Sequence, residues 1–193
     1  ARTTERQVHR ELASGLSMPV GFKNGTGGST QLATDAIKAA RGAHHFLSVT
    51  KQGISAIVAT TGNDACHIIL RGSSQGPNYD QVTVDGLADR LESDGLPRRL
   101  MIDFSHGNSE KDHNRQPAVA AAVAAQLADG SQNIFGVMME SHLVEGRQDL
   151  VAGKAPTYGQ SITDACLSWE TTVEVLDQLA EAARARRVAG KAT

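Results

Sequence analysis

A chain of 193 residues is long enough for one domain with a sizeable core and too short for two comfortable ones. With 19 Lys and Arg against 21 Asp and Glu, no global field recruits nucleic acid or an anionic membrane, so any anion site has to be local. Cys66 and Cys166 are too few for a disulfide scaffold, no apolar run approaches the roughly 20 residues of a membrane-spanning helix, and no signal-peptide pattern is present. Free thiols in a reducing, cytoplasmic setting are expected.

The chain opens Ala1-Arg2-Thr3-Thr4 without an initiator methionine and enters a helix pattern within a few residues, as a piece of something longer would. Thr4-Glu5-Arg6-Gln7 has the form of a capping box, which predicts a helix through Leu12 that stops near Gly15, a residue suited to a left-handed cap. Met18-Pro-Val-Gly-Phe22 reads as a short buried strand running into the turn formers Lys23-Asn24-Gly25-Thr26-Gly27-Gly28. Ser29 or Thr30 is expected to cap the next helix, whose apolar positions Leu32, Ala36, Ile37 and Ala40 keep helical spacing up to Gly42. Residues 45–60 break that rhythm. Phe46-Leu-Ser-Val-Thr50 and Ile54-Ser-Ala-Ile-Val-Ala59, joined by Lys51-Gln-Gly53, predict a β-hairpin inserted in the loop region.

His67-Ile-Ile-Leu70 is the next core strand, with Arg71-Gly-Ser-Ser-Gln-Gly-Pro77 as its exit loop. A helix is expected from about residue 83 to 93, then a strand in Met101-Ile-Asp-Phe-Ser-His106, an alanine-rich helix over 118–128, and a strand from Ile134 to Glu140. Beyond an irregular stretch with Gly146, Gly153, Pro156 and Gly159, Thr171-Thr-Val-Glu174 is a second capping-box form for a final helix through Arg187. Strands alternating with helices predict an α/β fold with a parallel sheet and right-handed crossovers. About four such units are present, half of an eight-unit barrel.

Two apolar runs close on groups that bind metals, His106 and Glu140, and the later loop Ser161-Ile-Thr-Asp164-Ala-Cys166 adds the carboxylate of Asp164. Parallel strands deliver such groups to one mouth, because the loops after their C-terminal ends lie together. Mixed imidazole and carboxylate ligation suits Mn, Fe, Co or Zn. His142 is a rival ligand beside Glu140, and Cys166 is either a further ligand or a core residue. His9, His44, His45, His67 and His113 read as surface or packing residues. The plain alternatives stay open here: a structural histidine, a capping or ion-paired Glu140, and a local turn or cap for Asp164.

Basic residues recur where strands end, at Arg2, Lys23 and Arg71, beside glycine-rich loops. Three cations in one mouth make a phosphate or carboxylate site, since guanidinium groups grip such anions through paired hydrogen bonds. Taken singly, each reads more readily as a solvated surface charge, and only their shared position after short apolar strands favours the anion site.

The strings Arg2-Thr-Thr-Glu, Pro19-Val-Gly-Phe-Lys23-Asn-Gly-Thr26, His67-Ile-Ile-Leu-Arg71-Gly, Met101-Ile-Asp-Phe-Ser-His106, Gly136-Val-Met-Met-Glu140-Ser-His-Leu-Val-Glu-Gly146 and Ser161-Ile-Thr-Asp164-Ala-Cys closely resemble class I 3-deoxy-D-arabino-heptulosonate 7-phosphate (DAHP) synthase of the feedback-regulated type. The resemblance runs in order through essentially the whole chain. It implies a (β/α)8 barrel of which this chain is the C-terminal half, starting at the exit of the fourth strand and containing about strands 5–8 plus the inserted hairpin, as a single partial domain. It implies the metal-dependent condensation of phosphoenolpyruvate with erythrose 4-phosphate, with release of phosphate, at the head of the shikimate pathway. By matching position, Arg2, Lys23 and Arg71 would hold phosphoenolpyruvate, while His106, Glu140 and Asp164 would bind the metal. Lys23 and His106 would be catalytic, Lys23 as a proton donor if crowding by Arg2 and Arg71 lowers its pKa.

The family's fourth metal ligand, a cysteine on an early strand, has no counterpart in this sequence. Neither has its Lys-Pro-Arg-Thr segment, which contacts both substrates, nor its N-terminal extension. A half barrel exposes raw sheet edges and inner apolar faces, so residues 1–193 are expected to be inactive alone and to form part of a longer enzyme. The resemblance further implies a homo-oligomer and an aromatic amino-acid effector near Ser17, Phe46 and Val58. Two competing readings remain: a non-catalytic, phosphate-binding or regulatory half barrel that pairs with a partner chain, and another sugar-phosphate barrel enzyme such as a Schiff-base aldolase.

Overall fold

The computed structural model describes residues 2–3 and 6–190, with the backbone alone for Arg2 and Thr3. The chain divides into two compact units, Ala1–Leu70 and Arg71–Thr193.

The first unit contains β1 (Arg2–Thr3), α1 (Gln7–Ser14), β2 (Val20–Lys23), α2 (Gln31–Ala40), β3 (His45–Val49), β4 (Ser55–Ala59) and β5 (Cys66–Leu70). Strands β1, β2 and β5 are parallel in that order, with Val20 opposite Cys66 and Lys23 opposite Ile69. Every residue of β2 and β5 is buried, the pattern of strands covered on both faces. Helix α2 lies against both, and helical spacing turns Ala33, Ala36, Ile37 and Ala40 to the buried side, where the three alanines let it pack closely.

Local signals were right about most elements of this unit and wrong about their ends. Strand β2 starts at Val20 rather than Met18, because Pro19 has no N–H for a ladder. Thr30 stands at the N-cap of α2 with helical backbone (φ −89°, ψ −16°) and makes no side-chain cap, since capping geometry needs an extended residue there. Of the first capping box, Thr4 and Glu5 lie outside the described residues, and Arg6 is the N-cap of α1 without a side-chain cap. Gly15 is not left-handed (φ −97°). It is needed for close approach instead, because a Cβ would sit 2.9 Å from Thr60 Cγ2. Thr60 ties the neighbourhood together through Ser14 Oγ (2.7 Å) and His44 N (2.9 Å), while the buried Asn63 amide donates to Ala13 O and Met18 O, both at 3.0 Å. The expected hairpin is present: β3 and β4 pair antiparallel from His45 opposite Ala59 to Val49 opposite Ser55.

The second unit contains α3 (Gln81–Ser93), β6 (Leu100–Asp103), a 3-10 turn (His113–Arg115), α4 (Gln116–Ala128), β7 (Ile134–Met138), β8 (Val144–Arg147), β9 (Gln160–Ser161) and α5 (Trp169–Ala189). Strands β6 and β7 are parallel, and α4 is the crossover such a pair requires. Val119, Ala120, Val123, Ala124 and Leu127 bury α4, which packs along α5. The stretch expected to be irregular holds the short parallel pair β8 and β9. Helix α4 begins at Gln116, two residues early, with Pro117 in its first turn, where a missing N–H costs nothing. Helix α5 is capped by Ser168, whose side chain accepts from Thr171 N, so Thr171 and Glu174 lie inside the helix and form no capping box.

Both thiols are free and buried. Burial, reinforced by Asp64, pushes the Cys66 thiol up to about 11. No helix among the described residues is long and apolar enough to cross a membrane.

Helix α3 starts at Gln81 because Asp80 caps it, accepting from Thr83 N at 2.9 Å and Thr83 Oγ1 at 2.7 Å. Partial burial works against the Asp80 carboxylate, but these hydrogen bonds outweigh it and hold the group below its ordinary value. Asp80→Ala should cost about 1 kcal/mol in urea unfolding at pH 7. A depressed carboxylate stabilises above its unfolded-state value and ceases to as pH falls through its folded one, so the gap between variant and parent should close below about pH 4.

Candidate metal centre

All three nominated ligands lie in the second unit, each in the backbone that follows a strand: His106 after β6, Glu140 after β7 and Asp164 after β9. One donor atom from each lies within 4.8 Å of the others. His106 Nε2 stands 3.5 Å from Glu140 Oε1. They line a cavity of about 140 Å³ shared with Ser105, Ser109, Lys111, His113 and Gln116. Two carboxylates facing an imidazole nitrogen make a hard, mixed N/O donor set that fits a divalent first-row ion.

The histidine is held from behind. Asp103, the last residue of β6, is completely buried, and its Oδ2 is 3.0 Å from His106 Nδ1. Asp103 Oδ1 accepts from the backbone N of Ser105 (3.0 Å) and from Ser105 Oγ. Ser105 Oγ is in turn 2.8 Å from His106 Nδ1. A carboxylate only accepts, so the single hydroxyl hydrogen of Ser105 is used on Asp103, and Oγ faces Nδ1 with a lone pair. Both neighbours of Nδ1 are acceptors. Nε2, on the other side of the ring, faces Glu140.

Glu140 is positioned through its main chain. Gln116, fully buried at the start of α4, donates from Nε2 to Glu140 O (3.1 Å) and accepts from Glu140 N at Oε1 (2.9 Å), and Leu167 N adds a third bond to Glu140 O at 2.9 Å. Asp164 is the exposed member of the three.

The loop that carries His106 is knitted to the exit loop of β5. Gly107 N and Asn108 N both donate to Arg71 O, at 2.9 and 3.2 Å. The buried Asn108 side chain donates to Asp103 O (2.8 Å) and accepts from Asn78 N (2.9 Å), while Asn78 Oδ1 accepts from Gly72 N (2.7 Å). His106, Glu110 and Lys111 all have positive φ (59°, 53° and 65°), a conformation that side chains other than glycine adopt at a cost and that collects at functional loops.

The remaining nominees fall as follows. His142 is exposed, its Nδ1 accepts from Leu143 N, and it is not part of the three-donor cluster. Cys166 is buried and donates to Asp164 O at 3.5 Å, the core alternative. His113, half-buried, is among the residues that line the cavity. Lys23 closes β2 in the first unit and is 9% exposed. Arg71 opens the second unit, half-buried. The side chain of Arg2 lies outside the described residues. Asp103, Ser105 and Gln116 were missed. The one signal in the sequence was a carboxylate interrupting the apolar run three residues before the histidine.

The family model described as "DAHP synthetase I family" matches residues 1–177. The chain is 60% identical over 189 residues to a phospho-2-dehydro-3-deoxyheptonate aldolase of Haemophilus influenzae, covering 98% of this chain and 52% of the relative. It is 59% identical over 187 residues to the Phe-sensitive enzyme of that name from Escherichia coli K12 (97% and 53%), and 56% identical over 191 residues to the tyrosine-inhibited one from Schizosaccharomyces pombe (97% and 51%). The chain thus spans about half the length of the curated relatives it matches. A solved aldolase of the same name from Francisella tularensis SCHU S4 superposes with a TM-score of 0.91 at 50% identity, over 96% of this chain and 55% of that one.

Gly72 is left-handed (φ 70°), and a Cβ there would lie 2.3 Å from Asn108 N. Gly72→Ala should lower stability by about 2 kcal/mol or more, read as a drop in the urea midpoint.

Proposed function

Since the chain belongs to the DAHP synthetase I family, we propose that residues 1–193 form one domain, the C-terminal half of a (β/α)8 barrel, and supply the metal and phosphate half of an active site that condenses phosphoenolpyruvate with erythrose 4-phosphate. The observation that carries this reading is the meeting of His106, Glu140 and Asp164 donor atoms within 4.8 Å in a member of that family.

His106 Nε2 and the two carboxylates would hold a divalent ion, which when bound acts as a Lewis acid toward the aldehyde oxygen of the sugar phosphate. Arg2, Lys23 and Arg71 would grip the phosphate and carboxylate of phosphoenolpyruvate and orient its methylene carbon toward the aldehyde carbon, where the new bond forms. The same fixed charges would then offset the anionic character that develops as water adds at the carbon bearing the ester oxygen and phosphate leaves. Lys23 is proposed as the proton donor. Lys23 is largely buried at the end of β2, which keeps it from bulk solvent.

Relatives named Phe-sensitive, tyrosine-inhibited and phenylalanine-inhibited support an aromatic amino-acid effector for this protein too, near Ser17, Phe46 and Val58. A cytoplasmic homo-oligomer is proposed with it. Because the chain spans about half of its relatives, activity is assigned to the assembled barrel and not to residues 1–193 alone. That same share keeps a second reading in play, a non-catalytic half barrel that works by pairing with a partner chain.

The test is phosphate release from phosphoenolpyruvate that depends on erythrose 4-phosphate, measured on the 193-residue chain alone and after supplying the N-terminal half of a relative. Turnover should appear only in the complemented protein, with about one divalent ion per chain. Glu140→Ala should abolish the bound metal, and Lys23→Met should lower turnover on the order of 100-fold while leaving the metal in place. Normal turnover by residues 1–193 alone would overturn the half-site assignment. A complemented barrel that binds metal and phosphate but releases none would favour the non-catalytic reading.

A further inference from the structure

The pattern of donors around Asp103 says more than that it supports His106. Asp103 Oδ1 receives two hydrogens, from Ser105 N and Ser105 Oγ, whereas Oδ2 lies 3.0 Å from His106 Nδ1. The two oxygens are therefore not equivalent, although the carboxylate itself is symmetric. We propose that Asp103 is a positioning residue that selects the tautomer of His106, keeping the proton on Nδ1 so that Nε2 is free to donate into the cavity. The consequence for metal affinity rests on the reading of His106 as a ligand. The consequence for the tautomer does not.

The asymmetry makes the isosteric variant the informative one. In Asp103→Asn the two hydrogens that Ser105 offers draw the amide oxygen to the Oδ1 position. The NH2 group then falls at the Oδ2 position and points its hydrogens at His106 Nδ1. Nδ1 can meet them only as an acceptor, which moves the ring proton to Nε2, and a protonated Nε2 has no lone pair for a metal. Asp103→Ala removes the acceptor without installing a donor. The Ser105 hydroxyl, no longer used on Asp103, can then donate to Nδ1 as readily as accept from it, so neither tautomer is enforced and the ring is looser. A residue that only filled space would give the opposite ranking, with the isosteric Asn harmless and the truncated Ala damaging.

Two readouts separate the parts. In metal-free complemented protein with the 193-residue chain labelled with 15N, at a pH where an ordinary imidazole is neutral, the His106 ring should carry its proton on Nδ1 in the parent, on Nε2 in Asp103→Asn, and on a mixture of the two in Asp103→Ala. Equilibrium dialysis with Mn2+ or Zn2+ alone should show roughly 10-fold weaker binding for Asp103→Ala and about 100-fold or more for Asp103→Asn. A parent His106 protonated on Nε2 overturns the proposal whether or not either variant folds. So does an Asp103→Asn chain with unchanged tautomer. The expected tautomers with no metal bound by the parent would uphold Asp103 as the selector and count against His106 as a ligand.

Discussion

The loops that leave β5 and β6 touch backbone to backbone, and the geometry of the candidate metal centre depends on that contact. Gly72 and Gly107 approach too closely for any side chain at Gly72, and the Arg71 carbonyl is shared by the N–H groups of Gly107 and Asn108. Asn108 then closes the frame from inside, bonding Asp103 O with its amide nitrogen and Asn78 N with its amide oxygen. Each such bond contributes only about 1 kcal/mol. Their joint effect is to leave the segment 103–108 one arrangement, and His106 is presented from that arrangement in a left-handed backbone it would not choose alone.

From this frame the chemistry follows with little further adjustment. The imidazole is oriented by a buried carboxylate and hydroxyl, and Glu140 by the side-chain amide of Gln116, which grips its backbone as a neighbouring strand would. Asp164 comes from a loop supported by β9, with far more solvent around it. Two acidic groups held this near each other repel unless a cation sits between them, so the cluster is shaped to gain from a divalent ion. The firmness of two donors and the exposure of the third suit a site whose ion must remain accessible from the cavity.

The two units differ in what sets their precision. In the first, β2 and β5 are buried along their whole length and α2 meets them through alanines, so hydrophobic packing defines the positions. Lys23 inherits its place from that packing as the last residue of a fully buried strand. In the second, buried polar groups do the corresponding work around the cavity. Ser105, Asn108, Ser109 and Gln116 are each 3% exposed or less, and all of them lie in loops or at a helix start.

Much of the patterning along the chain was legible. The apolar runs, the hairpin of residues 45–60 and the resemblance of whole strings to one family could all be read directly, and so could His106, Glu140 and Asp164 as residues closing or following apolar runs. The ends of elements were read less well. Thr30 has a capping side chain but the wrong backbone, Thr171 is overtaken by Ser168, and β8 with β9 is too short and too far apart in sequence to announce itself. The sequence by itself determined the α/β alternation, the family and the residue types offered for ligation. Only the tertiary structure decided that Asp103 and Ser105 stand behind the histidine and that Gln116, 24 residues away from Glu140, holds it in place. Those roles arise from hydrogen-bond directions, which exist only once the backbone of residues 103–106 has taken its folded turn and Gln116 has been brought against Glu140.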